Sequence, residues 1–464
     1  MQRKWRVTLI VCTGVFMSSL DLFIVNIAFP HIAKTYDGAS LASLSWILSG
    51  YAIVFAALLV PAGRWADAFG RKRAFLLGLG IFVLASIGCA VSPSVGLMVA
   101  ARIVQAAGGA LMLPTSLGLM LPEFAPEERH KAIGVWAATG GVAAAAGPPL
   151  GGLLVQADWR LVFLVNVPVG LIGLVLGAKT LIERREANPG RPDVLGALAM
   201  IVAIGALVVA IVQGQSWGWD SLRTLALFAT TAVILPAIWW RSERHPSPIL
   251  DPAMLRVRSF GLAVGGSVLF FCGFGAMLLS GVLFLTTVWH EQVLTAGLML
   301  FPGPAMAAAF SVPSARLGAR VGYRIPGMIG ALIFAGASVW WITQTGNTPA
   351  YFSEYLPGMM VSGAGVGLVI PTLTGAGASS LPPERFATGA AVLTMGRQIG
   401  AALGVSVLVA VLGTSATTAA DFHSAWTISL AGGLTTALVF AALGPLRSVA
   451  PAQPEPAAAL AKSA

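Results

Sequence analysis

The sequence predicts an all-α polytopic membrane protein with fourteen transmembrane helices in a 6+2+6 arrangement. Three observations lead there. The 464 residues are 57% hydrophobic and only 10% charged, whereas a soluble globular domain carries about a quarter charged residues. Apolar runs of about twenty residues recur along the whole length. Each can cross a bilayer core of about 30 Å at 1.5 Å per helical residue. Lysine and arginine also concentrate in alternate connecting segments. Helices are required because the lipid interior offers backbone amides no other partners.

The first run, 7–29, holds a single carboxylate, Asp21, within SSLDLFIVNIAFP. It lacks a small-residue cleavage site and a second run follows at once, so it reads as a span and not a cleaved leader. Runs 42–62 and 74–94 flank the basic segment GRWADAFGRKR. The short SPSVG at 92–96 makes 74–94 and 97–121 antiparallel neighbours, and 97–121 carries Arg102 and Gln105. Run 131–154 is rich in glycine and alanine, and 160–182 completes a first set of six. Two further runs, 194–212 and 222–240, precede the second six: 261–288, 293–315, 325–343, 352–376, 387–411 and 424–444.

With the N-terminus in the cytoplasm, the cytoplasmic loops and tails hold 23 of the 28 Lys and Arg residues. The outer loops hold Lys34, Arg160 and Arg223, and Arg102 and Arg397 lie within spans. This positive-inside bias places both termini in the cytoplasm. It accounts for the net charge of +10 without a nucleic-acid partner. Cys12, Cys89 and Cys272 all sit in apolar runs and form no disulfide or metal pattern.

The chain also repeats itself. PAGRWADAFGRKRAFLLG at 61–78 aligns with PSARLGARVGYRIPGMIG at 313–330, so Pro61, Arg64, Gly70 and Gly78 match Pro313, Arg316, Gly322 and Gly330. GGALMLPT at 108–115 and EERHKAIG at 127–134 likewise resemble GVGLVIPT at 365–372 and PERFATGA at 383–390. A six-helix unit needs roughly 200 residues, and the excess in the offset fits two inserted spans. The expected units are therefore 1–186, an N-terminal six-helix bundle; 187–258, two linker helices; 259–446, a C-terminal six-helix bundle; and 447–464, an Ala- and Pro-rich disordered cytoplasmic tail. Parallel halves with a path between them are a transporter arrangement.

Four segments carry a resemblance to a known family. LDLFIVNIAFP at 20–30 is similar to LDxTIVNVALP, with Phe23 in place of Thr. GRWADAFGRKR at 63–73 is similar to the loop motif GxLaDrxGRkr, through Gly63, Arg64, Asp67, Gly70, Arg71 and Lys72. RIVQAAGGALMLP at 102–114 resembles RxxQGxgaA, and GVWAATGGVAAAAGPPLGG at 134–152 resembles the helix-five antiporter motif, through Gly134, Gly147, Pro148, Gly151 and Gly152. The chain thus resembles the major facilitator superfamily, specifically its fourteen-span drug:proton antiporter branch (EmrB/QacA type), over nearly its whole length to about residue 446. DWRLVFLVNVPVG at 158–170, RPDVLGAL at 191–198 and RQIGAALGV at 397–405 agree with that branch.

The resemblance implies a proton-coupled exporter of small amphipathic compounds, with the proton motive force as energy source and no cofactor. A dedicated exporter of one natural product, antibiotic or lipid-like metabolite is the alternative. It implies a monomer in the cytoplasmic membrane with small-molecule substrate, protons and lipid as partners, and accessory efflux proteins as an option. An intramembrane carboxylate costs about 2.5–3.5 kcal/mol on insertion scales and marks a functional site by default. Burial disfavours the ionised form of Asp21 and a nearby arginine favours it, so a helix shift altering either would bind or release a proton; the alternatives are that Asp21 attracts a cationic substrate directly or only pairs to orient the first helix. Arg102 is the expected partner, although an arginine near a helix end can also snorkel to the surface. Arg102 and Gln105 share one helical face. Asn26, Gln105, Trp136 and Arg397 are candidates to line a substrate cavity. Arg397 has three readings: it counters Asp21, binds an anionic part of a substrate, or joins the two halves. The GRWADAFGRKR loop is expected to turn tightly at its glycines and to lock one state through Asp67. Trp46, Trp136, Trp340 and Trp341 line a cavity or form interfacial belts. No nucleophile–base pair, metal cluster or phosphate loop points to an enzyme or to ATP.

Overall fold

The computed structural model describes residues 2–36, 38–125, 128–185, 192–381, 385–413 and 417–443. The expected boundary at 186–187 and the tail from 447 lie outside them. The helices are α1 (Arg3–Thr35), α2 (Leu41–Phe69), α3 (Arg71–Ala90), α4 (Val95–Met120), α5 (Arg129–Ala157), α6 (Leu161–Leu164), α7 (Asn166–Thr180), α8 (Val194–Trp217) and α9 (Leu222–Ser242). There follow α10 (Pro252–Leu255), α11 (Arg258–Leu283), α12 (Val293–Leu300), α13 (Pro302–Val321), α14 (Arg324–Gln344), α15 (Leu356–Ser379), α16 (Phe386–Leu412) and α17 (Ala419–Ala442). Among the described residues, fourteen helices are long and apolar enough to cross a membrane; α6 with α7, and α12 with α13, each count as one.

Short caps set the boundaries. Ser40, Ser94, Asp193 and Ser221 each accept a backbone N–H from the first turn of the helix they precede. Thr418 and Asp421 form a capping box on α17. Gly70 and Gly322, with φ of 119° and 92°, reverse the chain after α2 and α13, a conformation that disfavours any Cβ. These two residues match in the internal repeat. The packing repeats as well: Gly78 lies against the Gly108 carbonyl between α3 and α4, and Gly330 against the Gly365 carbonyl between α14 and α15. Small residues at these crossings let backbones approach in the absence of a hydrophobic drive between helices.

Ion pairs gather one set of helix ends on a common basic face: Arg3 and Arg184 with Glu123, Lys4 with Glu128, Arg73 with Glu183, and Arg385 with Asp251. On the opposite face, the Tyr36 hydroxyl donates to the Ser92 carbonyl and the Trp289 indole to the Gly346 carbonyl. There the two halves are closed on one another. The α5 backbone at Gly152 stands against Leu294 of α12, and Gly297 of α12 lies against the Pro148 carbonyl. One buried apolar core runs through this closure, from Leu20, Ile24 and Ile27 to Leu285, Val293 and Leu300. Toward the basic face the N-terminal half keeps a core of its own, around Val11, Phe75, Phe82 and Met112. There α5 exposes Ile133, Val135 and Val142, and α13 exposes Phe310, Val312 and Leu317. Helix α8 packs against both α2 and α16, whereas α9 packs chiefly on α8.

Several expected boundaries shift. Helix α1 runs to Thr35, so Asp21 is fourteen residues from that end, not eight. Helix α2 continues to Phe69. Gly63, Arg64 and Asp67 therefore belong to its last turns, and only Gly70 makes the turn expected of both glycines. The span 293–315 is divided at Phe301, ahead of Pro302. Trp341 is neither a belt nor a cavity residue; it is 1% exposed and stacks on Tyr355, with its ring centroid 5.5 Å away.

Candidate functional site

Asp21 is fully buried in α1, and Arg102, seven residues into α4, is 1% exposed. Arg102 Nη1 donates to Asp21 Oδ2 at 2.5 Å and to Gln105 Oε1 at 2.7 Å, while Nε donates to the Ile47 carbonyl of α2 at 3.0 Å. Gln105 Nε2 donates to Asp21 Oδ1 at 3.0 Å and to Ser86 Oγ of α3 at 2.9 Å. Asn166 Nδ2, at the start of α7, reaches the same Ser86 Oγ at 3.5 Å. The Tyr51 ring lies under the guanidinium, its centroid 4.2 Å from Arg102 Cζ. One buried network thus joins α1, α2, α3, α4 and α7. It excludes the snorkelling alternative for Arg102, because the side chain turns inward onto an acid.

Both Asp21 oxygens accept from donors, which is the hydrogen-bonding pattern of an ionised carboxylate. Breaking such a buried pair by removing one partner costs about 3–5 kcal/mol. The arrangement is a buried ion pair bridged by an amide, and Arg102 is held in addition by the Ile47 carbonyl and the Tyr51 ring. It lies toward the opposite face, about 11 Å from the start of α4 at 1.5 Å per residue, beneath the α5–α12 closure.

At the basic face, the turn from α2 to α3 is held by charges. Arg71 Nε donates to Asp67 Oδ1 at 2.8 Å and its Nη1 to the Gly118 carbonyl at 3.2 Å. The Glu183 carboxylate accepts the backbone N–H groups of Lys72 and Arg73 at 3.0 and 3.3 Å, capping the N-terminus of α3 with negative charge. Lys72 Nζ donates to the Ala178 carbonyl at 2.8 Å. Trp65 and Phe69 stack on each other at 4.4 Å. Arg64 is half-buried on α2.

The helix-five residues divide. Gly147 lies against Phe23, Gly151 against Ile24, and Gly152 with Pro148 forms the contact to α12, whereas Gly134 has no heavy atom within 4 Å of where a Cβ would stand. Helix α5 runs unbroken through Pro148 and Pro149. Asn26 is buried on α1 and donates to the Leu22 carbonyl at 2.7 Å. The Trp136 indole donates to Ser116 Oγ at 2.8 Å, which fixes it on α4 toward the basic face. Arg397 does not meet Asp21 and does not bridge the halves: it donates to Thr374 Oγ1 of α15 and lies 5.6 Å from the Phe271 ring of α11. All three residues belong to the second six-helix set.

Sequence reasoning did not single out Tyr51, Ser86, Asn166, Glu123 or Glu183. Asn166, an amide within LVFLVNVPVG, is the one that apolar context could have flagged.

The chain matches the family model described as Major Facilitator Superfamily over residues 11–405. The chain belongs to the major facilitator superfamily. It is 34% identical to the multidrug resistance protein Stp of Mycobacterium tuberculosis over 427 residues, 89% of this chain and 76% of that protein. The methylenomycin A resistance protein of Streptomyces coelicolor is 33% identical, covering 87% of this chain and 84% of that one. The tetracenomycin C resistance and export protein of Streptomyces glaucescens is 34% identical, covering 88% and 75%. In fold, the chain superimposes on the crystal structure of an auto-inhibited POT family peptide transporter with a TM-score of 0.70 at 16% identity, covering 98% of this chain and 99% of that one. The superfamily assignment made from the four motifs, the fourteen-helix all-α fold and the multi-pass membrane character all stand.

Proposed function

We propose that this superfamily member is a proton-coupled exporter of small amphipathic compounds, working by alternating access in the cytoplasmic membrane. The observation that carries the reading is the sealed Asp21–Arg102–Gln105 network beneath a closed opposite face. With the basic face and both termini in the cytoplasm, the described conformation is closed to the outside. Its ionised, paired Asp21 then corresponds to the state after a proton has left toward the cytoplasm, when substrate enters. Outward opening lets Asp21 take up a proton, freeing Arg102 and resetting the cycle. The Asp67–Arg71 pair and the Glu183 cap brace the cytoplasmic ends of α2 and α3 during the exchange. The proton motive force supplies the energy, no cofactor is needed, and one copy contains the whole path. Relatives named for multidrug resistance and for tetracenomycin C resistance and export support export as the direction. A second reading, export of one natural product, draws support from relatives named for a single antibiotic, such as methylenomycin A.

The test is dye efflux from proteoliposomes under an imposed pH gradient, with wild type, Asp21→Asn and Asp67→Asn in parallel. Asp21→Asn is expected to bind dye yet lose the dependence on the gradient. Full gradient-driven transport by Asp21→Asn would remove Asp21 as the proton site. If the wild type moves no dye but does move a single antibiotic, the dedicated exporter is the correct reading.

A further inference from the structure

Arg102 and Arg397 lie deep within membrane-spanning helices, and their surroundings differ. Arg102 has a carboxylate, an amide oxygen and a backbone carbonyl. Arg397, eleven residues and about 17 Å into α16, has one hydroxyl, that of Thr374. Its Nε is buried without an acceptor, and no carboxylate pairs with it among the described residues. A guanidinium presents five donors in a planar fork. A charge held at membrane depth is normally paired, so this one has donors to spare.

The position of the spare donors is defined by packing. Gly400 and Gly404 bring α16 against the Val268 and Cys272 carbonyls of α11, and α16 also lies along α2, but it touches α15 only lightly. The guanidinium reaches from α16 to Thr374 of α15. Thr374, its partner, is half-buried on α15, as are Ile370, Pro371 and Gly375. Phe271 flanks the guanidinium and meets Phe274 edge-on at 5.6 Å. The charges of the N-terminal network cancel within it, whereas Arg397, beside the Phe271 ring, has no paired carboxylate among the described residues.

We propose that Arg397 is a substrate-recognition residue, and that the compounds carried are aromatic molecules bearing an anionic oxygen, a carboxylate or an ionised phenol. The oxygen is held by the guanidinium fork, which suits bidentate contact with a carboxylate, and the ring packs on Phe271. The inference rests on the transport reading but concerns binding, so the two can fail separately.

The probes are 1-naphthoate, 1-naphthylmethanol and 1-naphthylmethylammonium, which share a ring system and differ in charge. Binding to the purified full chain is measured by calorimetry for wild type, Arg397→Gln and Arg397→Lys. Wild type is expected to bind the naphthoate at least about tenfold more tightly than the ammonium compound, the scale of a charged hydrogen bond. Arg397→Gln is expected to lose that factor for the naphthoate alone, and Arg397→Lys to keep part of it. Equal losses for all three probes, or no naphthoate preference in wild type, would overturn the proposal. If Arg397→Gln does not fold, the lysine variant decides: retained anion preference supports the site, and uniform loss rejects it. In proteoliposomes, an Arg397-dependent binding of naphthoate with no gradient-driven movement of any probe would sink the transport reading and leave the binding site standing.

Discussion

Replacing Gly152 by alanine is expected to drive the molecule out of the conformation described. The new Cβ would stand 2.7 Å from Leu294 Cα and 3.0 Å from the Val293 carbonyl oxygen. Both are backbone atoms, and ordinary carbon contacts lie at about 3.5–4 Å, so α5 and α12 must part by roughly 1 Å. Overpacking of this kind costs about 1–3 kcal/mol. The gain in helix propensity, up to about 1 kcal/mol, acts in both conformations and cancels. The ratio of closed to open molecules should therefore fall roughly 5- to 150-fold, at about 1.4 kcal/mol per factor of ten. Spin labels at Thr35 and Thr348, exposed on the opposite face of the two halves, report this directly once Cys12, Cys89 and Cys272 are replaced. Pulsed electron resonance should show a longer distance gaining population in Gly152→Ala. Gly134→Ala, on the same helix but with no heavy atom within 4 Å, is the matched control and should leave the distribution unchanged. Identical distributions in the two variants would mean that the α5–α12 contact does not hold the closure.

Arg102→Gln leaves Asp21 buried without its cation and should lower stability by about 3–5 kcal/mol, read as a fall in melting temperature in detergent; adding Asp21→Asn should recover most of it, and equal melting of single and double variants would deny the coupling. Gly70→Ala places a Cβ 2.5 Å from the Glu183 carboxylate carbon at a φ of 119°, so a loss of about 1–3 kcal/mol is expected, measured in the same melt. Asp67→Asn removes a pair whose side chains are 23% and 29% exposed, worth at most about 1 kcal/mol. Its melt should hardly move, and a transport defect in that variant would then belong to the conformational cycle.

The candidate site was half legible. Asp21, Arg102 and Gln105 stand out because charge and amide are costly in an apolar run, and their spacing puts Arg102 and Gln105 on one face. Ser86 and Tyr51 gave no such signal. Hydroxyls in these helices commonly bond their own backbone, as Ser18 does to Gly14 and Thr115 to Leu111, so a serine that reaches another helix looks the same in sequence. Glu183 was hidden for another reason: it sits in a basic connecting segment, and only the fold brings it to the amides of Lys72 and Arg73. The repeat at offset 252 was visible because a reversed turn needs glycine at Gly70 and Gly322. Helix ends were misjudged where α1 and α2 extend beyond their apolar stretch, since hydropathy marks the lipid and not the helix.

The placement of α8 has a geometric consequence. Between the two six-helix sets, one junction consists of α2 and α16 with α8 laid over both, and the other is built chiefly of α5 against α12, with α1 and α13 adding lesser contacts. The molecule is therefore lopsided about its long axis. The junction backed by α8 is expected to act as a spine in any relative rotation of the halves, with most of the travel at the other edge. Helix α9, attached chiefly to α8, offers a place to carry a probe or a tether without touching either moving half.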